Sequence, residues 1–349
     1  METIILKSVR QSVFRPADNA SVLLLVLWSL MFLSALALIS SAMVRQKLML
    51  VYRLDERDTL QHIADAGALW GIAQLRKVPL EKEYCALKDT WSSNPALFKE
   101  AKIGSQGVAT IGYSYVGMDG AKGFRFGLID EARKININTS SAEVLARLFQ
   151  IAGALEPLAA NDLALSIIDW RDTDSNLSSP TGGAEDSYYM IGEFPYQAKD
   201  GEFEILEEAL LVRGMSEELF ARIKEHITIY GDGRVNINTA APLVLMALGI
   251  PQGVADKIVC ARMGADGVEA TPDDLVFMSP AEIVPVLKNK FRLTKSEEEQ
   301  LIFISENYLC VDSVFFTVKS SAHLLGKKSQ SERVCVFDRD GKVFYWQGA

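Results

Sequence analysis

The densest chemistry in the chain lies in Asp169-Trp-Arg-Asp172-Thr-Asp174-Ser-Asn176, followed by Thr181-Gly-Gly-Ala-Glu185-Asp186-Ser-Tyr188-Tyr189. Side-chain oxygens at 172, 174 and 176 alternate, the spacing that opens an EF-hand loop and turns successive oxygens toward one cation. The match ends at Leu177, where such a loop needs Gly, and at Gly183, where it needs a bidentate Glu. A Gly-Gly turn nevertheless allows Glu185 and Asp186 to fold back onto the first group. Carboxylates this crowded repel one another unless water solvates them or a cation bridges them. An all-oxygen set suits Ca²⁺ better than a transition metal. A solvated acidic loop is the other reading of the same spacing. Asp266-Gly-Val-Glu-Ala-Thr-Pro-Asp273-Asp274 reads as a turn entering a helix, or as a second cation site.

The segments that must hold this loop form an internal repeat. Lys134-Ile-Asn-Ile-Asn-Thr139 recurs as Arg234-Val-Asn-Ile-Asn-Thr239, each followed by a short helical stretch. Asn and Thr are suited to accept from free N–H groups at a helix start. Ser140 with Glu143 fits a capping box, and Pro242 fits a first helical turn. Residues 163–170 are answered by 255–263. Short helices with Gly turns, as in Leu211-Val-Arg-Gly-Met-Ser216, look like helix-hairpin-helix or SAM-like modules.

Two strand-rich regions flank this helical block. Residues 108–116 and 124–129 alternate in the manner of strands, with turn chemistry at 117–120, so a hairpin is expected. Strand patterns return at 308–318, 333–337 and 342–346, with a turn at 338–341. The fold class expected is α+β: a long helix on an antiparallel sheet, whose two strand groups pair across an inserted all-α domain at 134–306. The flanking strand regions are 78–133 and 307–349.

The N-terminal part supplies that helix. Residues 21–44 carry no charge and, at about 1.5 Å per residue, reach roughly 36 Å, enough to cross a bilayer core of about 30 Å. No proline interrupts 45–78, and Leu60, Ile63, Ala64, Gly67 and Gly71 recur at helical spacing. A continuous helix over 21–77 would be about 85 Å long, with 21–44 in lipid and 45–77 amphipathic.

Composition narrows the function classes. A formal charge of −9 over 349 residues argues against a phosphate-binding surface. Four scattered cysteines lack zinc or redox spacing; Cys310 and Cys335 lie in two expected strands and are candidates for a bridge, with free buried thiols the alternative. His62, His226 and His323 share no spacing with each other or with a cysteine. Neither a phosphate-binding Gly-rich loop nor a G-x-S-x-G elbow occurs, so no enzyme is expected.

The leader, residues 1–20, together with the long helix, resembles the N-terminus of type IV pilins and type II secretion pseudopilins. That resemblance places a prepilin-peptidase cut between Ala20 and Ser21, with Ala20 where the family usually has Gly. Leu25 stands where most pilins carry Glu, a departure characteristic of the K-type pseudopilins (general secretion pathway protein K). D-W-R-D-x-D followed by G-G-A-E-D-x-Y-Y, and N-I-N-T-A after a G-M-S-x-E-x-x-x-x-I helix, also resemble that family. The likeness implies calcium held by Asp172, Asp174, Glu185 and Asp186, with Asp169 and Asn176 as further candidates. It also implies a minor pseudopilin at the tip of the type II secretion pseudopilus. Its expected partners are the I- and J-type minor pseudopilins, the pseudopilus and the inner-membrane secretion platform. A single pass through the bacterial inner membrane and a periplasmic soluble part follow. The alternative function is a membrane-anchored helix-hairpin-helix DNA receptor for DNA uptake, which needs a basic hairpin face.

Overall fold

The computed structural model describes residues 17–79, 82–105, 107–117, 120–180, 182–191 and 194–348. In chain order its elements are α1 (Ala17–Leu75), α2 (Pro95–Phe98), β1 (Ala101–Ile103), β2 (Gly107–Ile111), β3 (Tyr113–Val116), β4 (Lys122–Arg125), β5 (Ile129–Asp130) and β6 (Ile135–Asn136). Then come α3 (Ala142–Ile151), α4 (Pro157–Arg171), α5 (Asp186–Tyr189), α6 (Glu217–Ile223), β7 (Ile227–Thr228), β8 (Val235–Asn236), α7 (Pro242–Ala247) and α8 (Gln252–Arg262). The chain closes with α9 (Ile283–Lys290), α10 (Lys295–Tyr308), β9 (Leu309–Cys310), β10 (Phe315–Leu324), β11 (Gln330–Asp338) and β12 (Val343–Gly348).

Two units can be distinguished, one ending at Thr59 and one beginning at Leu60. In the first, α1 exposes every side chain from Val22 to Met43 that is large and apolar. Among the described residues, α1 is the one helix long and apolar enough, by length and composition, to cross a membrane. The expected cleavage bond, Ala20–Ser21, sits inside this helix; residues 1–16 of the expected leader lie outside the described residues.

In the second unit, the last turns of α1 bury Leu60, Ile63, Ala64, Ala68, Ile72 and Leu75. They pack on one face of an antiparallel sheet of order β1-β2-β10-β11-β12, with β5 also paired to β10. β10 alternates: Phe316, Val318, Ser320, Ala322 and Leu324 face inward, while Lys319, Ser321 and His323 are only half-buried. That is the period of two expected for one buried face. Gly67 and Gly71 let the helix sit down on the sheet. A Cβ at Gly67 would lie 2.3 Å from Ser320 Oγ, and one at Gly71 2.9 Å from Val318 Cγ2.

The two strand groups pair across the helical block, Ser320 opposite Ile111 and Phe316 opposite Asp130. The expected strand at 108–116 is divided: its first half joins the sheet through β2, and its second half turns at Gly112 to form the hairpin β3–β4. The expected strand at 308–318 is likewise broken, because α10 runs to Tyr308 and β9 is separated from β10. Trp91 is buried edge-on against Phe316. The Cys310–Cys335 bridge does not form; all four cysteines are free. Cys335 points into the sheet–helix core while Cys310 sits in a separate pair, β8–β9.

The helical block has its own core, built on residues such as Leu145, Phe149, Leu163, Ile167, Leu245, Ile258 and Phe277. Each repeat opens in a two-residue strand that pairs in parallel, β6 with β7 and β8 with β9. The Asn residues do not cap helices, as their spacing suggests. Asn138 instead bonds both backbone groups of Phe203, at 2.8 and 3.0 Å. Asn238 does the same to Phe277, at 2.9 Å each. The cap of α3 is Ser141 rather than Ser140, and Glu143 pairs with Arg147 instead of closing a capping box. Pro242 does open α7.

Candidate metal centre

The acidic loop is held by the end of α4. Asp169, fully buried on the last turn, accepts from Ser178 N at 2.8 Å and so draws the loop over the helix terminus. Arg171, two residues on, donates to the carbonyls of Ile137 and Ser140 and ties the same turn to the first repeat. From there the chain passes Asp172 and Asp174 and returns through Gly182 and Gly183 to Glu185.

The return is possible only because position 183 has no side chain. Gly183 has φ of +102°, and a Cβ there would lie 2.1 Å from Asp169 Oδ2. Its backbone is clamped on both sides. Gly183 N donates to Asp162 Oδ1 at 3.0 Å, and Arg213 donates to Gly183 O at 2.6 Å. Arg213 also pairs with Asp162 at 3.1 Å. Neither Asp162 nor Arg213 stands out in the sequence, because both act through contacts distant along the chain.

This arrangement brings one ligand oxygen each from Asp172, Asp174 and Glu185 within 4.8 Å of one another. Asp172 Oδ1, both carboxylate oxygens of Glu185 and Asp169 Oδ2 are buried without a hydrogen-bond partner. Glu185 is only 3 % exposed. Burial pushes its carboxyl up to about 7, and the neighbouring charges of Asp169, Asp172 and Asp200 act in the same direction. Asp172 is raised too, first by burial and then by Asp174 and Asp169. Asp200, beyond the loop, was not singled out by spacing. Converging, desolvated, unpaired carboxylate oxygens fit a hard divalent cation, which the oxygen-only set would hold without help from N or S ligands.

Two expected ligands are placed differently. Asp186 turns away: its oxygens accept from Ala198 N at 2.8 Å and Gln197 Nε2 at 3.1 Å. Asn176 donates to Asp174 Oδ1 and shapes the turn from outside the cluster.

The second repeat is an internal control. Arg262 occupies the place of Arg171, donating to the carbonyls of Ile237 and Ala240 at 2.8 Å. Here the acidic turn is closed by the protein itself. Glu269 pairs with Arg262 at 2.6 Å and lies 3.5 Å from Arg125. Asp273 accepts from Ala265 N and Thr271 Oγ1, and Asp274 from Ala270 N. With its carboxylates already satisfied, 266–274 is a folded turn rather than a second cation site.

Comparison with known proteins agrees with this architecture. Residues 125–232 match the family model described as type II secretion system (T2SS), protein K. The chain is 32 % identical over 153 residues to type II secretion system protein K of Pseudomonas aeruginosa, covering 43 % of this chain and 44 % of that one. It is 31 % identical over 103 residues to the protein of the same name from Klebsiella pneumoniae, covering 29 % and 31 %. The matched stretch thus spans less than half the length of these curated relatives. A chain in the crystal structure of the GspK-GspI-GspJ complex from enterotoxigenic Escherichia coli superposes with a TM-score of 0.61 at 17 % identity. That superposition covers 86 % of this chain and 99 % of the other, and it shows the shared pilin-like fold. Residues 125–232 thus match the type II secretion system protein K family, and the chain is similar to members of that family over part of its sequence and in fold over most of its length.

Proposed function

We propose that the chain is a minor pseudopilin that serves protein export at the tip of a type II secretion pseudopilus, with a structural and assembly role. The observation that carries this reading is the pairing of a membrane-length apolar helix with a pilin-like sheet and a bulky helical block in one chain. A block of that size interrupts the sheet and suits a subunit that caps a filament better than one stacked repeatedly inside it. α1 would anchor the chain once in the bacterial inner membrane, leaving the sheet and helical block in the periplasm. The partners would be the I- and J-type minor pseudopilins named with the K protein in the E. coli complex, then the pseudopilus and the inner-membrane platform. Processing between Ala20 and Ser21 would leave Ser21 as the mature N-terminus. DNA uptake finds no support, since the first turn of α6 carries Glu217 and Glu218 where a DNA-binding hairpin needs cations.

Within this role, calcium held by Asp172, Asp174 and Glu185 would brace the long loop after α4 and do no chemistry. The test is melting of the purified protein with Ca²⁺ or EDTA, alongside Asp172→Ala and Glu185→Ala. A rise with Ca²⁺ that both substitutions abolish supports the site; identical melts in every case reject it. Co-expression with I- and J-type subunits tests assembly separately: a stable ternary complex is expected, and its absence would overturn the tip role.

A further inference from the structure

The hairpin β3–β4 forms a two-stranded sheet of its own. Gly117 N bonds Ala121 O at 2.9 Å, so the hydrogen-bonded pairs are 115 with 123 and 113 with 125. In an antiparallel ladder the intervening residues, Ser114 and Val116, then direct both N–H and C=O outward. Neither has a hydrogen-bond partner among the described residues.

This edge, whose Ser114 and Val116 are exposed, opens onto a cleft. Tyr113–Val116 line one wall of a cleft of about 660 Å³, and α6, α7 and the start of α8 line the other. The volume lies within the roughly 300–1,000 Å³ usual for binding clefts. Leu243 and Met246 give the far wall an apolar strip. Exposed edges invite indiscriminate pairing, and a wall of helices opposite restricts this one to a single added strand.

The charge in the cleft runs against that of the molecule. Arg133 donates to Tyr113 Oη at 3.1 Å, and Arg222 to Gly153 O at 3.2 Å. Among the described residues neither guanidinium has a carboxylate within ion-pair distance, although Arg133 feels the charge of Glu269, and the Lys122 ammonium is likewise without an ion pair. Of the cleft's two carboxylates, Glu225 is neutralised by Lys319 at 2.9 Å, which leaves Asp256. A chain of net charge −9 thus sets three cations without an ion-pair partner against the single carboxylate of Asp256, beside an unpaired strand edge.

We propose that this cleft takes up an extended acidic segment of another polypeptide, which adds to β3 as a third strand through Ser114 and Val116 and sets its carboxylates against Arg133 and Arg222. Main-chain bonds supply the binding and alternate side chains the selectivity, as in other strand-addition sites. The inference goes beyond the export role and does not depend on it.

The test uses the full chain in detergent and fluorescence anisotropy with a labelled octapeptide of alternating Val and Glu. Controls are its Val–Lys counterpart and a Val–Glu peptide N-methylated at alternate amides. Saturable binding of the Val–Glu peptide is expected, with both controls weaker by about tenfold or more, equivalent to about 1.4 kcal/mol. Arg222→Glu should weaken it by a similar factor. Val116→Pro should abolish it, and circular dichroism melting reports whether that variant stays folded. Equal binding of the N-methylated peptide would reduce the cleft to a charged surface and overturn strand addition. Equal binding of the Val–Lys peptide, indifference to Arg222→Glu, or no saturation up to about 1 mM would overturn it too.

Discussion

Glu185 concentrates the cost of the acidic loop in one side chain. Its carboxyl titrates near 7 in the folded chain against 4.5 ordinarily, so the folded state holds a proton that the unfolded state has released between those values. The metal-free protein therefore gains most from this group below pH 4.5 and loses that gain as pH rises to about 7. Calorimetry in EDTA should show the wild-type melting temperature falling across this window relative to Glu185→Gln. A parallel pair of curves would show that the site is solvated. If Ca²⁺ occupies the proposed site it would have to displace the same proton, so calcium affinity would rise by about tenfold per pH unit up to about 7 and then level off. Isothermal titration at several pH values reads this directly.

At the scale of elements, the repeat is a device for gripping loops from a distance. Each Asn-x-Asn uses its second Asn to satisfy both backbone groups of a buried Phe far along the chain. Truncating that side chain strands a donor and an acceptor, and each buried orphan costs about 1–3 kcal/mol. Asn238 is 3 % exposed, whereas Asn138 is half-buried and water can replace part of what it loses. Denaturant unfolding should thus place Asn238→Ala below Asn138→Ala in stability, with a loss of about 2 kcal/mol or more for the former. The reverse order would show that the first clamp is the one that counts.

At the scale of the molecule, the second unit is assembled through two consecutive carboxylates. Asp130, paired in the sheet through β5, accepts from Asn236 Nδ2 at 3.0 Å and Thr239 Oγ1 at 2.5 Å in the second repeat. Glu131 accepts from Thr228 beside the first repeat and from Thr317 in β10, at 2.6 Å each. The pair fastens both repeats to one end of the sheet. Asp130→Ala should leave Asn236 and Thr239 without this acceptor and loosen the helical block while the sheet core persists. Hydrogen exchange should then rise in β8 and α7 before β10 and β11. Uniform protection in both regions would count against the latch.

Much was legible from local pattern. A charge-free run of membrane length, strand-like runs at 308–318 and 333–337, Gly67 and Gly71 one turn apart, and a twice-repeated Asn-Ile-Asn-Thr are all properties of neighbours along the chain. They were enough for the long helix, the antiparallel sheet and the presence of further helices. The carboxylates of the candidate site could also be named from spacing, and three of the four came together. The fourth, Asp186, did not, because whether its oxygens face the cluster or Ala198 N depends on where residues 197–198 pass. The same applies to the closed second acidic turn, which Arg262 and Arg125 satisfy from other elements, and to Cys310 and Cys335, which share a strand-like pattern but not a core. Sequence by itself determined which groups were available and what periodicity carried them. Tertiary structure decided which buried polar atoms found partners and which were left unpaired, because that depends on contacts between residues far apart in the chain.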